Sequence, residues 1–119
     1  MNSKIFNSFV LAVCGVLFCV ILADVSGKWS GYIDYNGNDI PLTYNFKADG
    51  DKLTGTSDTP LGTADITDGK IDKDMISFKV DLNGSTATHI GKVYQDSIKL
   101  KITYNGADFL TTLKRNKTQ

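Results

Sequence analysis

The sequence predicts an all-β domain, an eight-stranded antiparallel up-and-down barrel that follows a helical export signal. Three observations carry that expectation. Apolar and polar residues alternate with period two from Gly27 to Arg115, and no window sustains a 3.6-residue helical repeat. Turn dipeptides, Asn36-Gly37, Asn83-Gly84 and Asn105-Gly106 among them, recur at hairpin spacing. All 13 acidic residues are aspartates, which favour tight turns and are depleted from helix interiors and strands. A closed meander removes the exposed edges that so many short strands would leave, and a two-sheet sandwich is the alternative arrangement.

Taken in order, residues 1–23 read as the signal. Lys4 supplies a positive start, "FVLAVCGVLFCVILA" the apolar centre, and Ala23 a small residue ahead of a cut at Asp24. The apolar run approaches the roughly 18 residues that span a bilayer, so a retained anchor is the alternative. Residues 24–119 form the domain. The first strand sets Trp29, Gly31, Ile33 and Tyr35 on one face, and "NGND" reverses the chain into Ile40, Leu42, Tyr44, Phe46 and Ala48. After "DGD" come Leu53, Gly55 and Ser57; "DTPLG" leads to a weaker strand with Ala64 and Ile66, and "TDGKIDKD" connects it to Ile76, Phe78, Val80 and Leu82. The sixth strand is ambiguous, because Ala87, His89, Gly91 and Val93 alternate against Thr88, Ile90, Lys92 and Tyr94; the first set is taken as inward. Gln95-Asp96 precedes Ile98, Leu100, Ile102 and Tyr104, and Asn105-Gly106 precedes Phe109, Thr111, Leu113 and Arg115.

Composition narrows the function classes. Beyond the signal stand 12 basic and 13 acidic residues, a net charge of −1. That balance disfavours nucleic acid or an anionic membrane as the main partner, since both need a concentrated basic face. Both cysteines, Cys14 and Cys19, lie inside the signal. The domain therefore depends on packing and strand pairing rather than disulfides, and thiol or Cys-zinc chemistry is excluded from it. One histidine cannot build a multi-histidine metal site, no nucleophile elbow is present, and the absence of glutamate argues against a glycosidase. No cofactor, metal or catalytic residue is expected.

A Gly-x-Trp at the start of the first strand (Gly27, Trp29), with an arginine closing the last (Arg115), resembles the lipocalin and avidin type of calycin barrel. The resemblance implies that Trp29 lies across the closed end as a plug with Arg115 packed on it. The stretch "ADGDKLTGT", Ala48 to Thr56, resembles the second hairpin of avidin-like proteins. The overall likeness is to small exported bacterial lipocalin-like domains. Avidin-like biotin sites resemble a box of several tryptophans, whereas this chain has one, at the plug position, so biotin is not implied. Lipocalins proper are longer and enclose a wide calyx; the short hairpins and bulky inward residues here imply a small cavity or a filled barrel.

Tracing strand directions away from the plug gathers the turns "NGND", "SDTPLG", "LNGST" and "NGAD" at the open end. Tyr35, Tyr104 and Phe109 fall near that mouth on consecutive strands, edged by Asn36, Asp39, Asp58, Asn105 and Asp108. Such a platform suits a small apolar ligand or a sugar ring, with Tyr44 and His89 deeper inside. The ligand-binding set expected from the sequence is thus Tyr35, Tyr44, Asp58, His89, Tyr104 and Phe109, in an exported monomeric binding protein. A protein-interaction or accessory module with a filled barrel is the second reading, and a small glycan-active hydrolase the third.

Overall fold

Residues 24–116 are described by the computed structural model. The export signal expected over residues 1–23 lies outside them. Eight strands follow one another: β1 (Gly27–Tyr35), β2 (Asn38–Asp49), β3 (Lys52–Thr59), β4 (Gly62–Asp72), β5 (Met75–Leu82), β6 (Ser85–Val93), β7 (Ser97–Tyr104) and β8 (Ala107–Arg115). Each pairs antiparallel with its chain neighbours, and β8 returns to β1, so the sheet is one closed barrel.

Local chemistry dictates that path. Three hairpins turn on Asn-Gly pairs in which both residues have positive φ: 55° and 84° at Asn36-Gly37, 51° and 83° at Asn83-Gly84, 51° and 80° at Asn105-Gly106. Two consecutive left-handed residues define a turn whose twist matches that of the flanking strands, and asparagine and glycine are the residues that reach it most cheaply. These tight turns fix the registers Tyr35↔Asn38, Leu82↔Ser85 and Tyr104↔Ala107. A one-residue slip would turn each hydrophobic set to solvent.

The fourth strand departs from the sequence expectation. "TDGKIDKD" is not a connecting loop: β4 runs on to Asp72, and the chain reverses at Lys73-Asp74. The pairing with β5 shifts between Thr67 and Lys70 around Asp68, whose φ is 51°. Ile66 and Ile71 both point inward although they stand an odd number of residues apart, because the bulge inserts a phase change. Plain alternation cannot reveal such a strand.

On β6 the inward set is Ala87, His89, Gly91 and Val93, all buried. Large side chains fill the closed half of the barrel: Trp29, Phe46, Leu53, Ile76, Phe78, Ile98, Leu100 and Leu113 are buried there. The short segment before β1 completes that end. Val25 is buried, its carbonyl accepts the Trp29 Nε1–H at 2.9 Å, and the Ser26 hydroxyl accepts the Ala48 amide at 2.9 Å. Arg115 lays its guanidinium 4.2 Å from the Trp29 ring centroid and donates to the carbonyls of Ser26 at 3.0 Å and Asp24 at 3.3 Å. The indole is wholly buried, held by a cation over its face and a carbonyl at its edge. Trp29 and Arg115 are also register partners across the β1–β8 seam.

Candidate functional site

Toward the Asn-Gly turns the packing stops short and leaves an open cavity of about 430 Å³. Its wall is made by the inward faces of β1, β2 and β3 on one side and β5 to β8 on the other, with Pro60 and Leu61 of the β3–β4 turn at the rim. Ile33, Ile40, Leu42, Leu82, Ala87 and Ile102 give it an aliphatic lining. None of the lining residues is charged. A concave, largely apolar space with a few placed polar groups, within the usual range of roughly 300–1,000 Å³, is what small-molecule sites look like.

Four of the six residues expected from the sequence meet here. Tyr35, Tyr44, Tyr104 and Phe109 all line the cavity. Tyr35 and Phe109 pair at the rim, their centroids 5.8 Å apart at 47°. Tyr104 is tied elsewhere, its hydroxyl donating to the Leu82 carbonyl at 3.2 Å. Asp58 and His89 stand outside the wall. Asp58 is exposed on the outer face of β3, where its carboxylate accepts the Thr63 hydroxyl at 3.1 Å. An aspartate at that outward register position serves the hairpin and not the interior.

His89 is buried behind Tyr44. Its Nδ1 lies 3.1 Å from the Ala87 carbonyl, which can only accept, so Nδ1 carries the proton and Nε2 is left with a lone pair. The Tyr44 hydroxyl, 3.0 Å away, therefore donates to Nε2. Phe78 stacks on the imidazole at 4.3 Å and 17°, and Tyr44 meets Phe78 edge-on at 5.6 Å and 70°. Burial in this aromatic nest pushes the His89 pKa down to about 4, while the bond to the Ala87 carbonyl acts weakly the other way. Burial likewise raises the Tyr44 phenol well above its ordinary range, with the neighbouring Ser57 hydroxyl opposing it. Both groups are neutral across the physiological range, bonded to each other, and removed from solvent. Among the described residues no three His, Cys, Asp or Glu side chains converge as a metal site requires.

Sequence reasoning missed Ser57 as a site residue. It is the register partner of Tyr44, 2 % exposed, and part of the cavity wall. The available signal was a hydroxyl at an inward position in line with Leu53 and Gly55. Pro60 and Leu61 carry only a turn signal in the sequence, yet they close one side of the mouth.

With this geometry established, comparison with known proteins identifies the architecture. The barrel superimposes on a solved structure of the REP1-NXSQ fatty acid transporter with a TM-score of 0.57 at 16 % identity, over 82 % of this chain and 99 % of that one. A mutant of the fluorescent protein UnaG matches with a TM-score of 0.53 at 11 % identity, over 79 % of this chain and 97 % of that one. What is shared is the fold. It is a closed, eight-stranded, antiparallel up-and-down barrel, and each of those chains is matched over nearly its whole length. No protein-family model and no curated protein sequence matches the chain.

Proposed function

We propose that this chain is an exported, non-catalytic binding protein that holds a small apolar ligand in the open half of its barrel. The observation that carries the reading is the cavity of about 430 Å³, walled by aliphatic and aromatic side chains and open beside Tyr35 and Phe109. A filled barrel would have favoured a protein-interaction module instead. The aliphatic lining favours an apolar ligand over a sugar, whose hydroxyls would meet few partners inside. The structural likeness to a protein described as a fatty acid transporter points the same way. Against catalysis stands the state of the interior: Tyr44 and His89, the buried titratable pair, have their hydrogen bonds satisfied by each other and by the backbone.

Binding of Nile red, an uncharged apolar fluorophore, tests the reading. The fluorescence should rise and saturate with the parent protein. Ala87→Phe adds a ring where only a methyl group now lines the cavity, so it should abolish the signal while thermal stability holds or increases. A dye response unchanged by Ala87→Phe would place binding somewhere else. Export is checked by sequencing the N-terminus of the protein isolated from outside the cytoplasm of its host, expected to begin at Asp24.

A further inference from the structure

On the outer surface, one wall departs from the even charge balance of the domain. The outward residues of β6, β7 and β8 meet in two neighbouring rows set by register, Leu110↔Lys101↔Ile90 and Thr112↔Lys99↔Lys92, and the second row ends on Met75 of β5. Tyr32 of β1 carries the wall across the seam, and together these side chains line a shallow open groove of about 640 Å³. Leu110 is 77 % exposed there and Tyr32 64 %. Three lysines and no acid line the groove, so the net charge of −1 is an average over unlike walls. Lys92 and Lys99 are direct cross-strand partners, and both ammonium groups approach the Tyr94 ring, at 5.6 and 5.9 Å from its centroid. Like charges opposite one another destabilise a sheet, so this pair serves something other than the fold. Asp74 lies 3.9 Å from Lys92, but both side chains are about half exposed and the pairing neutralises little. Asp81 and Asp108 stand nearer the mouth, where they accept the hydroxyls of Thr86 and Thr103.

We propose that this wall docks the barrel on an anionic lipid surface. Charge complementarity selects an anionic partner, and the placement of the lysines selects lipid over protein. Protein interfaces gather apolar side chains at their centre and are depleted of lysine. Here Lys101 stands in the middle, with Leu110 and Ile90 on either side of it and Lys99 in the next row. That interleaving suits a bilayer surface, where lysine stems lie along apolar groups while their ammonium ends meet phosphates, and where exposed tyrosine and leucine reach between headgroups. A second copy of the chain joined through the same wall would bring lysine against lysine. The inference concerns the outer wall alone and does not require a ligand in the cavity.

Leu110→Trp puts a fluorescent reporter on the wall without touching the core, because Leu110 is largely exposed and the native indole of Trp29 is wholly buried at the closed end. The full chain is mixed with vesicles of phosphatidylcholine and phosphatidylglycerol that carry a nitroxide-labelled phosphatidylcholine. Quenching of the introduced indole reports contact by the wall itself, whether or not residues 1–23 seat in the bilayer. Its emission should shift to the blue and be quenched at low ionic strength, and both effects should vanish on vesicles of phosphatidylcholine alone or in about 1 M NaCl, where the screening length is only about 3 Å. Adding Lys99→Gln and Lys101→Gln should weaken the apparent affinity roughly thirtyfold, the loss of two lysine attractions to the surface. Lys47→Gln with Lys52→Gln, an equal loss of charge from the exposed faces of β2 and β3 across the barrel, should weaken it by less than about threefold. Equal quenching on uncharged vesicles, none on anionic ones, or an equal loss from the β2–β3 pair would overturn the inference. A blue shift with poly-glutamate and none with vesicles would also overturn it and give the wall to an acidic protein.

Discussion

Two side chains show how single residues carry separate tasks. Trp29 has no exposed surface and joins the segment before β1 to the end of β8, through the Val25 carbonyl and the Arg115 guanidinium. Removing it in Trp29→Ala leaves a hole at the closed end that backbone cannot fill, and urea unfolding should register a loss of roughly 3–5 kcal/mol. A variant that unfolded like the parent yet lost its ligand would show the indole to be a binding group. His89 reports through pH. Its folded pKa is about 4, below the unfolded value of roughly 6.5, so the unfolded chain binds the extra proton first. The stability from the neutral imidazole is complete above about pH 6.5 and is lost as pH falls toward 4, on the order of 3 kcal/mol in all. His89→Gln, which can still accept from Tyr44, should unfold in urea with a distinctly shallower pH slope over that interval. An identical slope in the variant would mean that His89 is already charged in the folded protein.

At the scale of strands, backbone proximity decides which positions tolerate a side chain. Gly55 on β3 has φ of 140°, and a methyl group there would sit 1.8 Å from the Asn45 carbonyl oxygen of β2. Gly84, in the β5–β6 turn, also has positive φ but opens onto empty space. Gly55→Ala should therefore destabilise by about 3 kcal/mol or more, through strain and collision together, and Gly84→Ala by only about 1–2 kcal/mol, the left-handed backbone alone. Comparable unfolding midpoints for the two would contradict the close β2–β3 approach. The same reasoning explains why β4 runs on through Gly69. Gly69 lies where a Cβ would come within 1.9 Å of the Leu53 carbonyl oxygen, so the bulge needs glycine. In sequence "TDG" is indistinguishable from a turn. Asn-Gly hairpins, by contrast, were legible because their conformation is set by the two residues themselves.

The whole barrel is closed by its thinnest seam. β1 and β8 share the register pairs Trp29↔Arg115 and Ser30↔Lys114 near the plug, reinforced by the Asn116 amide on the Lys28 carbonyl at 2.8 Å. Toward the mouth the contact continues through the Thr111 hydroxyl on the Tyr32 carbonyl at 2.6 Å. On the far side, β5 and β6 pair from Met75↔Lys92 to Leu82↔Ser85 without interruption. Fluctuations that admit a ligand should begin where pairing is sparsest, between the mouth ends of β1 and β8 beside Tyr35 and Phe109. Hydrogen exchange should run faster in the mouth half of β8 than in the centre of β6, and a bound apolar ligand should slow it. Uniform protection around the barrel would point to entry through the open end alone.

Period-two alternation, Asn-Gly turns and an all-aspartate acid set were enough to specify eight strands, their order and the inward faces that bring Tyr35, Tyr44, Tyr104 and Phe109 to one space. These are local properties, fixed by the pleat and by turn conformations that depend on a few adjacent residues. The meeting of Tyr44 with His89 and Ser57, the bulge in β4 and the volume left unfilled were decided only by the closed barrel. They depend on barrel diameter and stagger, which bring Tyr44 to His89, 45 positions away, across the interior, and no short stretch of sequence encodes the distance between opposite walls.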